Sequence, residues 1–321
     1  MILNRRSAIG FTASMVAGFA LPSISAAKAP IMGTQNAGFY RYKIGDIEAT
    51  AITDGFAERL LEGFVKNAEL DDVKAVLAQS AMPQSNLRIP FTTTVLNIAG
   101  QLVLIDSGNG DMGGSTTGSW MVNFKAAGFM PEQVDLVIFS HFHPDHINGY
   151  RLKSGATPFV NAQIMVPLVE WAFWMDEGQM SRSPESMKGI FTAVRRVFEP
   201  VKSQVVQYEA GKEIIPGLTS VAAFGHTPGH MAYVVSSGSA KHILMSDTTN
   251  HPALFVRRPE WSAIFDMDAE QAITSRRRML DMAVTEGAGV SFYHAPFPAT
   301  GKIIKDGAGY ALVPTPWSTV L

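Results

Sequence analysis

Five apolar runs in the sequence each end in a residue that can bind a metal or carry a proton. The runs LVLI, LVIFS, SVAAFG, HILMS and VSFY are followed by Asp106, His141, His226, Asp247 and His294. Short apolar runs of this kind are typical of buried strands. Loops at strand ends, held by a rigid sheet, are where functional sites usually form. The pattern therefore predicts a sheet protein in which five strand ends meet at one site.

The other segments alternate between strand and helix patterns, which predicts one mixed α/β domain spanning residues 30–321. Residues 46–55 alternate as a strand does and end in an Asp-Gly pair that is typical of a turn. Helical spacing covers residues 69–80, 119–129 and 268–286. The basic run SRRRML lies on the last of these helices, where we expect it to form a solvated face.

The segment HFHPDH, residues 141–146, contains three of the chain's eight histidines. Alternate residues of an extended segment point the same way, so His141 and His143 can share one metal. Pro144 helps the chain to turn, after which Asp145 and His146 would face a neighbouring point. The segment thus predicts two pairs of ligands for two adjacent metals, although a solvated polar loop is the alternative.

Any metal in this chain must be held by nitrogen and oxygen, because the sequence contains no cysteine. Each metal still lacks ligands, and His226, Asp247 and His294 are the candidates. Zinc accepts imidazole nitrogen and carboxylate oxygen at about 2.0–2.2 Å. Two metals roughly 3.5–4 Å apart can share a hydroxide and polarise a substrate oxygen.

Several functional classes do not fit the sequence. A formal net charge of −2 argues against a nucleic-acid partner, which normally requires a basic surface. The absence of cysteine excludes thiol nucleophiles, and the chain has no Gly-x-Ser-x-Gly elbow of a serine hydrolase. The glycine-rich stretch DSGNGDMGG lacks the lysine of a phosphate-binding loop.

Residues 1–29 have the features of a secretory signal of the twin-arginine type. Arg5 and Arg6 precede an apolar run that is too short for a bilayer, which needs about 20 residues. Small residues follow, as expected at a cleavage site. The prediction is a periplasmic or secreted protein with no membrane contact after the signal is removed; the alternative is a retained anchor.

The motifs HFHPDH, VLIDSG, GHTPGH, LMSD and FYHAP resemble, in this order, those of the metallo-β-lactamase fold superfamily. Within it, the stretches GFYRYKIGDIEATAITDG and AAGFMPEQVD resemble the methyl parathion hydrolase and lactonase branch. The resemblance covers residues 38–315. It implies an α/β fold, the four-layer αβ/βα sandwich of two mixed sheets flanked by helices, and it suggests a homodimer.

The resemblance also implies roles for individual residues, with two divalent metals, best taken as zinc, as cofactors. Seven ligands are implied: His141, His143 and His226 for the first metal, Asp145, His146 and His294 for the second, and Asp247 as a bridge. Two further residues, Asp106 and His230, are implied to orient ligands. His242 is expected to be an ordinary strand histidine, and His251 either a capped loop residue or part of the pocket.

The implied reaction is hydrolysis of a small ester-type substrate by a metal-bridging hydroxide, with Asp145 accepting or delivering a proton. Lactones, aryl esters and organophosphate triesters stay open as substrates. One alternative is an N-acyl homoserine lactone lactonase with incidental phosphotriesterase activity; another is a non-catalytic periplasmic metal-binding protein. Trp174 and Phe191 are implied to line the substrate pocket, although aromatic residues at helical spacing more often belong to a core.

Overall fold

The structure, a computed structural model, describes residues 30–321. The predicted signal peptide, residues 1–29, lies outside the described residues. Residues 30–36 form neither helix nor strand, whereas Ala37–Leu321 form one compact unit. Within residues 30–321, no helix combines the length and apolar character needed to cross a bilayer.

Two seven-stranded sheets form the centre of the compact unit. The strands of the first sheet follow one another in space as they do in sequence: β1 (Phe39–Ile44), β2 (Ile47–Leu60), β3 (Asn86–Ile98), β4 (Gln101–Ile105), β5 (Leu136–Ile138), β6 (Gln163–Pro167) and β7 (Val205–Tyr208). The second sheet is likewise ordered: β8 (Glu213–Ile215), β9 (Leu218–Ala222), β10 (Met231–Ser237), β11 (Ala240–Leu244), β12 (Gly289–Ser291), β13 (Thr300–Asp306) and β14 (Gly309–Pro314).

Both sheets are mixed. In the first sheet β1 to β4 pair antiparallel, as hairpins allow, and β4 to β7 pair parallel. In the second sheet only β11 and β12 pair parallel among the seven strands. Parallel neighbours need long crossovers, usually helical, so the two parallel regions are where strand ends and helical connections come together.

Eight α-helices flank the sheets within the described residues: α1 (Leu70–Gln79), α2 (Trp120–Ala126), α3 (Pro144–Ile147), α4 (Leu168–Trp174), α5 (Glu177–Arg182), α6 (Glu185–Phe198), α7 (Pro252–Phe255) and α8 (Ala269–Thr285). The arrangement confirms the predicted four-layer αβ/βα sandwich. The predicted helices at 69–80, 119–129 and 268–286 correspond to α1, α2 and α8.

The sheets face each other across an apolar core that includes Leu96, Val103 and Ile138 from the first sheet and Tyr233 and Leu244 from the second. These side chains are almost fully buried, and burial of each large apolar side chain favours folding by about 1.5–3 kcal/mol. The core fixes the two sheets against each other, so the loops at their ends have defined positions.

The Asp-Gly pair at positions 54 and 55 does not form the predicted turn. Strand β2 continues through it to Leu60, and the pairing register with β3 shifts at this point, which marks a bulge. The buried Asp54 carboxylate accepts hydrogen bonds from the backbone N–H groups of Asn109 and Trp120 at 2.8 and 2.9 Å. An Asp-Gly pair usually forms a turn, but in this protein Asp54 holds a loop that is distant in sequence against the sheet. The local sequence does not indicate this contact.

We predict that Gly55→Ala destabilises the fold by more than about 2 kcal/mol. Gly55 has φ of 118°, and an added Cβ would lie 2.0 Å from the backbone oxygen of Thr116. Gly189→Ala is the control, because an added Cβ at Gly189 in α6 meets nothing within 4 Å. That substitution should stabilise the helix by about 0.5–1 kcal/mol. Urea unfolding measures both, and equal free energies of unfolding would contradict the prediction.

Candidate metal centre

The structure brings the five predicted strand ends together. Asp106 follows β4 and His141 follows β5, two parallel neighbours of the first sheet. Asp247 follows β11 and His294 follows β12, the parallel neighbours of the second sheet. His226 lies beyond β9. All five side chains are at least nine-tenths buried, so the site is set into the edge of both sheets.

The first cluster consists of His141, His143, His226 and Asp247, whose potential ligand atoms lie within 4.8 Å of one another. His143 Nδ1 lies 3.1 Å from His141 Nε2 and 2.9 Å from His226 Nε2. His143 has extended backbone angles (φ −65°, ψ 146°), which lets both histidines of the segment face one point as predicted.

The second cluster consists of Asp145, His146 and His294, again within 4.8 Å. Asp145 and His146 lie on the short helix α3, which begins at Pro144. Asp145 Oδ2 is 3.5 Å from His146 Nε2 and 3.7 Å from His294 Nε2. The predicted change of direction at Pro144 is therefore present, and it separates the two pairs of ligands.

Asp247 contacts both clusters. Its Oδ2 lies 3.2 Å from His226 Nε2 and 2.9 Å from His294 Nε2, and its Oδ1 lies 3.3 Å from His146 Nε2. One carboxylate thus reaches histidines of the first and the second cluster, which is the placement that a bridging ligand requires.

Asp106 and His230 support these residues from behind. Asp106 adopts a left-handed backbone conformation (φ 60°) and accepts hydrogen bonds from the Ser140 N–H at 2.8 Å and His146 Nδ1 at 2.8 Å. His230 Nε2 accepts the backbone N–H of Asp247 at 2.9 Å. Neither residue belongs to a ligand cluster, and the orienting role that the family resemblance implies stays a prediction.

Imidazole tautomers show that the clusters suit a metal. The Nδ1 atoms of His146 and His294 face acceptors, Asp106 and the carbonyl oxygen of Pro90. A neutral ring that donates from Nδ1 presents a lone pair at Nε2. His146 Nε2 and Asp247 Oδ1 are buried without a hydrogen-bond partner within residues 30–321. Two acceptors that face each other at 3.3 Å need a cation, and this nitrogen and oxygen donor set suits a divalent ion such as zinc.

Burial lowers the pKa of His141 and His143 well below the ordinary imidazole value. The same burial acts on His146 and His226, but several carboxylates together outweigh it. Asp247, Asp145 and Asp106 raise the pKa of His146 well above its ordinary value. Asp247 and Asp266 raise the pKa of His226 to about 9. The centre therefore attracts positive charge, which protons or divalent ions can supply.

A cavity of about 330 Å³ opens over both clusters. The Asp145 side chain is 23% exposed, against 3% for Asp247, so Asp145 is the carboxylate within reach of a bound molecule. Polar side chains form one part of the wall: Asn109, His143, Asp145, His226, Asp247, Asn250 and His294. Apolar side chains form another part: Ala57, Ile89, Phe91, Ile190 and Phe265.

Trp174 and Phe191 do not line this cavity, contrary to the pocket role that the family resemblance implies. Both are fully buried in the core beneath the first sheet, with their rings 4.7 Å apart. The Trp174 indole N–H donates to Glu170 Oε2 at 2.7 Å. The neighbouring Ile190 faces the cavity, because successive residues of helix α6 point to different sides.

Glu170 is a buried carboxylate that the sequence analysis did not identify. It accepts hydrogen bonds from the backbone N–H of Phe142 at 3.1 Å and of Gly229 at 2.7 Å. Phe142 lies between His141 and His143, so Glu170 connects the loops of the first cluster. Burial raises the pKa of its carboxyl group.

His251 caps helix α7, where its Nδ1 accepts the Ala253 N–H at 3.2 Å. This confirms the capped-loop alternative, and the neighbouring Asn250 lines the cavity instead. His242 lies in β11 and bonds Ser291 Oγ at 2.7 Å, as expected for an ordinary strand histidine.

The sequence motifs did not indicate a role at the metal centre for Asp266 or Arg276 either. Asp266 Oδ1 lies 3.0 Å from His226 Nδ1, and Arg276 Nη2 lies 3.1 Å from Asp266 Oδ2. Arg276 is 1% exposed, so the predicted solvated face of SRRRML is wrong for this residue. The signal was available in the helical period, because Arg276 lies four residues after the buried Ala272 and three before the buried Met279.

Comparison with known proteins supports this description. Residues 92–287 match the profile of the metallo-beta-lactamase superfamily. An N-acyl homoserine lactonase from Bacillus sp. is 25% identical over 171 residues, which are 53% of this chain and 59% of that protein. The match to these curated relatives therefore spans less than two thirds of their length.

Two solved structures share the fold over most of the chain. The hydrolase AbOPH of the beta lactamase superfamily is 28% identical, with a TM-score of 0.83 over 89% of this chain and all of its own. AidC, a dizinc quorum-quenching lactonase, superposes with a TM-score of 0.83 over 88% of this chain and 99% of its own. At 24% identity the latter match shows the fold alone.

We predict that Trp174→Phe lowers stability and acts through Glu170. The substitution keeps an aromatic ring but removes one N–H donor from a buried carboxylate, which costs about 1–3 kcal/mol. Ile190→Ala, on the cavity wall, is the comparison, because it removes apolar side-chain atoms but no hydrogen bond to Glu170. Urea unfolding at neutral pH measures the loss. A Trp174→Phe protein as stable as the parent would show that the indole N–H is dispensable.

Proposed function

The chain belongs to the metallo-beta-lactamase superfamily, and from this membership and the site geometry we propose that it is a binuclear metal-dependent hydrolase of small ester-type substrates. The observation that carries the proposal is the position of Asp247 between two groups of histidines. A single-metal site has no need of a carboxylate that reaches both groups.

In the proposed enzyme the first cluster holds one divalent ion and the second cluster holds another, with Asp247 shared. Zinc is the ion we propose, because imidazole and carboxylate are its usual ligands when thiolates are absent. Asp106 supports the second cluster through His146 and His230 supports the Asp247 backbone.

Two bound ions would supply an activated water at neutral pH and polarise the oxygen of the scissile group. Asp145 is placed to move protons, because its carboxylate borders the cavity and is partly exposed. A carboxylate with one oxygen free can accept a proton from the attacking water and return it to the leaving group.

For the substrate we propose a lactone or another carboxyl ester that carries an apolar group. The curated relatives are named N-acyl homoserine lactonases, which favours a lactone. The wall formed by Ile89, Phe91, Ile190 and Phe265 suits an acyl chain or an aryl ring. Organophosphate triesters are the second candidate class, since the same water can attack phosphorus. The twin-arginine features of the first residues predict that the reaction takes place outside the cytoplasm.

Side-by-side measurement of kcat/KM for an N-acyl homoserine lactone and for methyl parathion tests the proposal. The zinc-loaded protein is used for both substrates. We expect the lactone to be preferred by at least tenfold. A preference for methyl parathion would reassign the enzyme to phosphotriesters, and no turnover of any ester, lactone or triester by metal-loaded protein would leave only a metal-binding function.

We predict that a chelator abolishes turnover and lowers the melting temperature. Metal that binds only the folded state stabilises it by about 4 kcal/mol at a thousandfold excess over its Kd. Readdition of two equivalents of zinc should restore both properties, and readdition of magnesium should not, because magnesium prefers oxygen ligands. Calorimetry with and without zinc makes the test, and an unchanged melting temperature would count against a metal centre.

We predict that Asp145→Asn lowers kcat by about 10²–10⁴-fold while most of the metal is retained. The amide keeps an oxygen that can bind metal but cannot accept the proton. Asp71→Asn on the surface of α1, with a side chain 97% exposed, is the matched control. Turnover and metal content are measured on the same samples. Full activity of Asp145→Asn would contradict the proposed proton-transfer role.

A further inference from the structure

The environment of His226 differs from that of the other histidines in the first cluster. Its Nε2 faces His143 and Asp247 at 2.9 and 3.2 Å. Its Nδ1 lies 3.0 Å from Asp266 Oδ1. The carboxylate accepts the Nδ1 proton, so the neutral ring presents its Nε2 lone pair to the cluster. Asp266 therefore fixes both the tautomer and the orientation of a predicted ligand.

Asp266 is itself held by charge and by the backbone. Its carboxylate is 2% exposed, and Oδ2 accepts from the Ala263 N–H and from Arg276 Nη2, each at 3.1 Å. A buried carboxylate without a cation is costly, and removal of one partner from a buried ion pair is strongly destabilising. Arg276 offsets the charge of Asp266 without touching a ligand.

Arg276 reaches a second part of the centre. Its Nε donates to the carbonyl oxygen of Thr248 at 2.9 Å, and its Nη1 donates to the carbonyl oxygens of Pro259, at 3.1 Å, and Trp261. Thr248 directly follows Asp247, the carboxylate between the two clusters. One guanidinium thus holds both Asp266, which supports His226, and the loop that carries Asp247. These contacts require the fork of N–H donors that arginine has and lysine lacks.

We propose that Arg276 and Asp266 form a positioning pair that sets the metal affinity of the first cluster. The proposal rests on the metal centre of the proposed function but names residues outside it. The second cluster has a separate support, because Asp106 orients His146 in the same manner. Asp106 also accepts from Ser140 Oγ, which lies 3.1 Å from His141 Nδ1. A change at Asp106 therefore acts on both clusters, whereas a change at Asp266 acts through His226 of the first cluster.

The test measures zinc affinity of each site by competition with a chromophoric chelator, together with metal content. Asp266→Asn should weaken one of two sites by about 10–100-fold and leave the other within about twofold. Asp106→Asn is the comparison and should weaken both sites, because Asp106 holds His146 directly and His141 through Ser140. Arg277→Met is the matched control, since Arg277 lies on the same helix with a 44% exposed side chain, and both sites should keep their affinity.

Arg276→Lys separates positioning from loss of charge. Lysine keeps the positive charge beside Asp266 but cannot make all of the carbonyl hydrogen bonds, including the one to Thr248 beside Asp247. We therefore expect an intermediate loss of affinity that is larger at the site weakened by Asp266→Asn. If Asp266→Asn fails to fold, Arg276→Lys alone decides the matter. In cadmium-loaded Asp266→Asn protein, the ¹¹³Cd resonance of the weakened site should shift while the resonance of the other site stays fixed.

The outcomes separate the two proposals. A parent protein that binds fewer than two metals overturns the proposed binuclear function. A parent with two metals, combined with Asp266→Asn and Arg276→Lys proteins of unchanged affinity at both sites, overturns the positioning pair alone. An equal loss of zinc affinity at both sites in Asp266→Asn or Arg276→Lys also overturns it, because that result indicates general destabilisation.

Discussion

The buried carboxylate of Asp247 is the constraint on which the rest of the centre depends. It sits among the Nε2 atoms of His146, His226 and His294, at distances of 2.9–3.3 Å. Such a carboxylate must be held rigidly, since a displacement changes its contacts to both clusters at once. The protein holds it through its backbone: the preceding strand, the His230 ring on its N–H, and Arg276 on the next carbonyl group.

Buried carboxylates also connect loops to one another through hydrogen bonds. Asp54, Asp106 and Glu170 each accept several hydrogen bonds from segments distant in sequence. Asp266 likewise accepts from His226 and from Arg276. A carboxylate with two oxygens can link two or three loops in little space, which a neutral side chain of the same size cannot do. The cost of burying the charge is offset by several short hydrogen bonds, or in Asp266 by a cation. The ligand loops are therefore ordered by polar contacts, while the apolar core orders the sheets.

The sequence predicted the parts of this protein that depend on local pattern. An apolar run followed by a ligand-type residue is visible within a few positions, so the strand ends and the His141–His146 segment could be identified. The sheet class and the helices α1, α2 and α8 followed from period and composition. The role of Asp54 depends on a loop that lies about 55 residues further along the chain, and that of Trp174 on which side of α4 the core occupies. A short stretch of sequence does not distinguish those outcomes. The helical period did indicate that Arg276 is buried, but its charge led to the prediction of an exposed side chain.

The division between ligands and cavity wall explains why the motifs indicate a reaction class better than a substrate. The ligands come from strand ends and α3, whereas the apolar wall comes from β2, β3, α6 and the segment before α8. A wall residue can change size without moving a ligand, with two exceptions. Ile89 and Phe91 flank Pro90, whose carbonyl oxygen accepts the His294 Nδ1–H at 2.9 Å. Phe265 lines the cavity, and the next residue, Asp266, holds His226. In that segment the shape of the substrate wall and the orientation of a metal ligand depend on the same backbone, so a change that enlarges the cavity there also alters the first cluster.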